Sequence, residues 1–217
     1  MINKKLVLFD LDGVIVNSKS NMEFSWNLVQ DHFSISTPFE EYFRNIGRPF
    51  IDIMRILGHF DMGKQIEEVY KSASFKILDD IEFYDGIQDM FANLVEEECR
   101  LGIITSKDKE RTKHILDKLG VKFSIIRTPN AVCRGKPSPD HILYSMAVTN
   151  TDPTDTVYIG DMEVDYLAAK RANIDYLHAG WGYSPHIKHD VFSLNAAHDV
   201  VTYLKGDFYE NSRCNTV

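Results

Sequence analysis

Asp10 and Asp12 stand one residue apart at the end of an apolar run, in "KKLVLFDLDGVIVNS", and Asp161 and Asp165 stand four apart in "GDMEVD". Side chains two apart on an extended chain project to the same side, and residues four apart share one face of a helix. Neighbouring carboxylates repel each other and lose hydration when buried, so a fold that keeps them ionised needs a cation or a catalytic use for them. Up to four carboxylates at one point suit a hard, oxygen-seeking ion such as Mg2+, which takes one or two of them and leaves room for water and a substrate phosphate. The plainer reading of "DLDG" is an exit turn in solvent, with Gly13 supplying a backbone angle closed to other residues. Between the two acidic pairs, Thr105 ends the run "CRLGIIT" and Lys136 sits in "RGKPSPD". Taken singly, these are a strand-end hydroxyl and a solvated surface charge.

What decides between the readings is the set of elements that would position these groups. Leu6 to Phe9 are four consecutive apolar residues, the pattern of a strand buried on both faces in a parallel sheet. Four further segments read as strands: "CRLGIIT" ending at Thr105, "KFSIIR" around Ile125, "DTVYIGD" ending at Asp161 and "IDYLHAGWG" around Tyr176. Helical patterns alternate with them, as in a βαβ chain. Lys107 to Leu119 closes on Gly120, "SPDHILYSMAV" offers Ser138 as N-cap with Pro139 in the first turn, and "EVDYLAAKRAN" follows Asp161 directly. Ligands of parallel sheets bind beyond the carboxyl ends of the strands. Asp10, Asp12, Thr105 and Asp161 all fall at such ends, and Lys136 lies in a loop that reaches the same edge.

From Val16 to about Asp85 the pattern is helical throughout, in "NMEFSWNLVQDHF", "PFEEYFRNI", "FIDIMRILGHF" and "GKQIEEVYKSASFKILDDI". The predicted architecture is therefore an α/β core, a Rossmann-like parallel sheet with helices on both faces, made of residues 1–15 and 86–217. An α-helical cap is inserted at 16–85 as a lid on two hinges. Lys205 onward is polar and unpatterned and is expected to fray.

Composition narrows the function classes. The 217 residues are 44% hydrophobic and 26% charged, an ordinary globular balance. A net charge of -8 without a basic run argues against nucleic acid or an anionic membrane as partner. No stretch approaches the roughly 18 apolar residues of a membrane span, and the amino-terminal apolar run is too short for a signal peptide, so a cytoplasmic location is expected. Cys99, Cys133 and Cys214 have no CxxC spacing and are expected to be free thiols.

The four segments "DLDGVIVNS", "GIITSKD", "GKPSPD" and "GDMEVD", in this order, resemble the four successive motifs of the haloacid dehalogenase superfamily. The likeness is to its phosphoglycolate phosphatase and β-phosphoglucomutase-like branch, with a helical cap after the first motif. The resemblance implies a Mg2+-dependent phosphatase acting on a small phosphorylated metabolite, such as a phosphoglycolate-like, sugar or polyol phosphate, as a monomer or homodimer. In that scheme Asp10 attacks phosphorus and forms an aspartyl-phosphate, Asp12 is the acid and then the base, and Lys136 pairs with Asp10 and the phosphate. Thr105, the Ser106 N–H and Gly13 lie around the phosphate oxygens. Asp10, Asp12 through its main-chain oxygen, Asp161 and Asp165 hold the metal. Arg48, in the "NIGRPF" loop of the cap, is the candidate for the substrate's other end. The alternatives are a sugar-phosphate mutase with the same motifs and a catalytically weak binder on the same scaffold. Two positions depart from the family pattern: Asn17 stands where relatives often carry an acid, and Met162 where Ser or Thr commonly follows the fourth-motif aspartate.

Overall fold

The computed structural model describes residues 2–206. Its centre is β1 (Leu6–Phe9), whose four residues are all buried. The chain then forms a two-residue strand, β2 (Val16–Asn17), and enters a run of helices: α1 (Lys19–Phe33), α2 (Phe39–Phe43), α3 (Phe50–Ile56) and α4 (Gly63–Lys76). It returns through β3 (Glu82–Phe83), which pairs antiparallel with β2, Val16 opposite Phe83 and Asn17 opposite Glu82. The helical segment thus leaves and re-enters the core through one short ribbon.

From there helices and strands alternate. α5 (Ile87–Glu96) leads to β4 (Arg100–Ile104), α6 (Lys109–Leu119) to β5 (Ile125–Arg127), and α7 (Asp140–Thr149) to β6 (Thr156–Gly160). α8 (Glu163–Ala172), β7 (Asp175–Ala179), β8 (Ser193–Leu194) and α9 (His198–Lys205) complete the described chain. The sheet order is β5-β4-β1-β6-β7-β8, and every neighbouring pair is parallel. β4 and β5 extend it on one side of β1 and β6 to β8 on the other. The order therefore reverses between β1 and β6, the place where open parallel sheets form a crevice.

Alternation along β1 explains the two-sided burial. Val7 and Phe9 belong to the cluster shared with α5, α6 and α9, whereas Leu6 and Leu8 belong to the cluster shared with α7 and α8. Phe9 meets Phe91 of α5 edge-on at 5.0 Å. Each such buried side chain contributes about 1.5–3 kcal/mol. Helices cover both faces, as the apolar run requires.

The helical insert has a core of its own, in which Met22, Trp26, Tyr42, Ile53, Ile66 and Tyr70 pack together. At its base the Asn21 amide donates to the Ser74 and Ile77 carbonyls while the Ser74 hydroxyl donates back to Asn21, tying α1 to α4. Leu78, Ile81, Phe83 and Tyr84 instead pack with the sheet cluster.

Some local expectations are corrected. α6 begins at Lys109, because Asp108 caps it by accepting from the Arg111 N–H, and Lys107 is left in the preceding loop. α7 begins at Asp140 with Pro139 as the capping residue; the Ser138 hydroxyl donates to the Asp140 carboxylate rather than capping. β2, β3, β8 and α9 are additional elements, and Lys205 is the last residue of α9, ion-paired with Glu97 at 2.7 Å. The remainder of the expected frayed tail, 207–217, lies outside the described residues, as does Cys214. Cys99 and Cys133 are free thiols. Among the described residues no helix is long and apolar enough to cross a membrane.

Candidate active site

The site forms where β1 and β6 end side by side. Phe9 is in register with Ile159, and the Asp10 N–H donates to the Ile159 carbonyl at 2.9 Å, so Asp10 and Asp161 leave neighbouring strands at the same level. α8 starts at Glu163, and its first turn carries Asp165 back over that edge. Asp10, Asp161 and Asp165 each offer an oxygen within 4.8 Å of the others, and all three are buried. Across from them Lys136, 2% exposed, sets its Nζ 2.8 Å from Asp10 Oδ2 and 2.7 Å from Asp165 Oδ1. The topology alone explains why residues so distant in sequence meet.

Hydrogen bonds assign these carboxylates different tasks. Asp10 Oδ1 accepts from the Leu11 N–H at 2.8 Å while Oδ2 faces Lys136, which fixes the plane of the group. Asp165 Oδ2 accepts from the Met162 N–H, and Oδ1 is shared by Lys136 and the Tyr158 hydroxyl at 3.1 Å, so its oxygens are committed within the protein. Asp161 Oδ2 accepts from the Tyr183 N–H at 2.8 Å. Its Oδ1 is buried with no partner at all, the one such side-chain atom among the described residues. An unpaired carboxylate oxygen in the interior costs several kcal/mol unless something positive meets it. A hard oxygen donor left open beside a second carboxylate fits Mg2+.

Electrostatics agree with that fit. Burial pushes the Asp10 carboxyl up to about 7 against the pull of Lys136, and the Asp165 charge adds to the rise. Burial likewise raises Asp161 well above the usual carboxylate range, with Asp165 and Asp10 contributing. Burial would lower Lys136, yet the charges of Asp10 and Asp165 hold it above the ordinary lysine value. The acids are crowded beyond what one lysine relieves.

Asp12 reaches the cavity of Asp10 from a turn rather than from extended strand. β1 ends at Phe9, and the chain turns through Gly13 at φ +86. The Asp12 side chain is therefore outside the buried acidic trio, and it accepts from the Ser18 hydroxyl and lies 3.1 Å from Lys107 Nζ. It lines the same cavity as Asp10. The Gly13 N–H donates to the Val16 carbonyl at 2.9 Å. The absent Gly13 side chain matters too, since a Cβ there would come 2.1 Å from Asp161 Oδ2.

Thr105 and Ser106 follow β4 at the same sheet edge. Thr105 Oγ1 accepts from the Lys107 N–H at 3.1 Å, leaving its own proton to donate, and among the described residues the Ser106 N–H has no acceptor. Both line a cavity of about 390 Å³ with Asp10, Asp12, Lys136 and, from the insert, Arg48 and Tyr70. Arg48 is the one cation on that lining with no acidic or hydrogen-bonding partner among the described residues. Met162 is partly buried and packs against the insert's cluster, an apolar contact that Ser or Thr could not make as well.

Four residues escaped the sequence reading. Lys107, 6% exposed, has its charge beside Asp12, and its position directly after Thr105 and Ser106 was the available signal. Ser18 occupies the N-cap of α1, yet its hydroxyl serves Asp12 and makes no capping bond. Tyr183 holds Asp161 through its N–H and the Ser18 N–H through its hydroxyl at 2.7 Å, and Tyr158 supports Asp165. No periodicity or spacing marks either tyrosine.

The chain as a whole resembles known proteins in sequence and in fold. The chain is 28% identical to Validoxylamine A 7'-phosphate phosphatase of Streptomyces hygroscopicus subsp. limoneus over 78% of its length and 83% of that protein's. It is 27% identical to Phosphoglycolate phosphatase of Colwellia psychrerythraea, covering 83% of this chain and 86% of that one. The crystal structure of a hydrolase from Pseudomonas syringae superposes with a TM-score of 0.83 at 20% identity, over 94% of this chain and 98% of the other, a likeness of fold. The family model for haloacid dehalogenase-like hydrolases matches residues 7–179, a span that holds every motif of the site, and the chain belongs to that family.

Proposed function

We propose that the protein is a Mg2+-dependent phosphatase that hydrolyses a small phosphomonoester through an aspartyl-phosphate on Asp10. The observation that carries this reading is the state of Asp10: 3% exposed, fixed by Lys136 and the Leu11 N–H, and set beside the partnerless Asp161 oxygen. Asp10 and Asp161, with Asp165 behind them, would hold the ion, which when bound neutralises charge on the acids and on the phosphate oxygens.

The chain's own groups then divide the chemistry. A carboxylate oxygen of Asp10 attacks phosphorus, and the bond from phosphorus to the leaving oxygen breaks. Asp12 gives a proton to that leaving oxygen; it next takes one from the water that hydrolyses the aspartyl-phosphate, which frees inorganic phosphate and restores Asp10. The Ser106 N–H, the Thr105 hydroxyl and Lys136 bind the phosphate oxygens, where charge-assisted hydrogen bonds are strongest. Lys107 and Ser18 orient Asp12.

The insert acts as a cap. It supplies one wall of the cavity, so a bound ester is screened from bulk water. Arg48 meets the leaving group from that wall. The names of the relatives, Validoxylamine A 7'-phosphate phosphatase and Phosphoglycolate phosphatase, support a phosphoester of a small metabolite while naming different substrates.

The test is hydrolysis of p-nitrophenyl phosphate with Mg2+, with EDTA, and by Asp10→Asn. Activity is expected with Mg2+ alone, and the variant is expected to lose at least about three orders of magnitude in kcat. Undiminished turnover by Asp10→Asn would remove the mechanism.

A further inference from the structure

The loop Ile46–Pro49 carries Arg48, and three core elements grip it. The Ser106 hydroxyl donates to the Gly47 carbonyl at 2.6 Å. Gly47 lies at φ +83 with its α-carbon so close to α8 that a Cβ would fall 2.8 Å from Val164 Cγ2. On the other flank Pro49 packs on Gly135, where a Cβ would be 2.5 Å from Pro49 Cγ. Both neighbours of Arg48 are therefore seated on the core, and Arg48 itself is left lining the cavity with no partner among the described residues.

Ser106 is unusual among these grips because it has two polar groups with different destinations. Among the described residues its N–H has no acceptor, and the residue lines the cavity next to Thr105; its Oγ reaches out of the core to the insert. A peptide N–H that binds an anion fixes the orientation of its own residue, and so the direction in which the side chain donates. We propose that Ser106 is a positioning residue that couples occupancy of the phosphate site to the placement of Arg48 over the leaving group. This rests on the phosphatase reading of the site. Phosphate on the N–H would fix Ser106, whose Oγ already holds Gly47, so the seat of Arg48 becomes firmer once the phosphate end has been recognised. A molecule lacking the phosphate gains less from Arg48.

Hydrogen exchange on the full chain with Mg2+ and orthophosphate tests this. In the wild type, phosphate is expected to slow exchange of amides in both 105–107 and 46–50, by about tenfold in the loop. Ser106→Ala keeps the peptide N–H and should retain the slowing at 105–107 while the gain in 46–50 falls below about twofold. Ser106→Thr, which keeps the hydroxyl, should restore it, and unchanged melting temperatures show that both variants are folded. An equal loop gain in the wild type and Ser106→Ala, no loop gain in the wild type, or failure of Ser106→Thr to restore it overturns the coupling. If phosphate fails to protect 105–107 in the wild type, the phosphatase reading falls first and the coupling with it.

Discussion

The floor and the roof of the cavity are built in opposite ways. Asp10, Asp161 and Asp165 sit at strand ends or in the first turn of a helix and Lys136 in the loop before α7; all four are at most 3% exposed, and Lys136 braces Asp10 to Asp165. On the roof Arg48 is only half-buried, lies in a loop and has no partner among the described residues, and its wall comes from a segment with a separate core. The strand ends that lead to Asp10 and Asp161 are each held by neighbouring strands on both sides. The insert leaves its contribution open for a ligand to complete. Chemistry on the rigid layer and selectivity on the adjustable one is how one scaffold takes different esters.

The sharpest way to break this contrast is to remove the brace. Lys136→Met leaves Asp10 and Asp165 buried without their cation, and should lower unfolding free energy in urea and EDTA by about 3–5 kcal/mol. Arg48→Ala, with no partner to orphan, should stay within about 0.5 kcal/mol of the parent. Comparable losses for the two variants would mean that the floor is no more rigid than the roof.

A second, smaller effect is the pH dependence of the floor. The Asp10 carboxyl stands at about 7 in the folded chain against 3.8 for the free group, and Asp161 is raised in the same direction. Between those values the folded state binds more protons than the unfolded one, so stability falls as pH rises. Without metal, that contribution is complete below about pH 4 and is lost on passing through about pH 7. Cation binding needs the ionised acids, so the melting-temperature gain from Mg2+ over EDTA should grow from about pH 5.5 to about pH 7.5. A gain that shrinks over this range would contradict an ion held by these carboxylates.

The floor was legible in the sequence and much of the roof was not, for a physical reason. Asp10, Thr105 and Asp161 each interrupt an apolar run at its end, so strand periodicity places them at one edge without any knowledge of contacts. Asp12 defeats the same rule because it assumes extended chain through residue 12, while β1 stops at Phe9 and Gly13 turns the backbone. Ser18 drew no reading of its own; at the N-cap place of α1 its hydroxyl could cap the helix, but tertiary structure brings Asp12 within reach and diverts it. Lys107 fell inside a helical pattern that in fact begins two residues later, since Asp108 is the better cap. Tyr183 and the β2–β3 ribbon depend wholly on long-range contacts, which no local pattern encodes.

The smallest effect concerns the ribbon that joins the two layers. Asn17 stands opposite Glu82 in the β2–β3 pair. Like charges directly opposite on paired strands destabilise by a few tenths of a kcal/mol, and Asn17 avoids that repulsion. Asn17→Asp should therefore cost about 0.2–1 kcal/mol at low salt, from roughly 0.4 to 4 °C in melting temperature for a chain of this size. The deficit should fade in about 1 M NaCl, where exposed charges are screened within about 3 Å. Because neither residue faces the floor, p-nitrophenyl phosphate turnover should not change. A salt-independent loss, or a fall in turnover without a fall in stability, would show that the ribbon does more than connect and that the roof's position is set at its root.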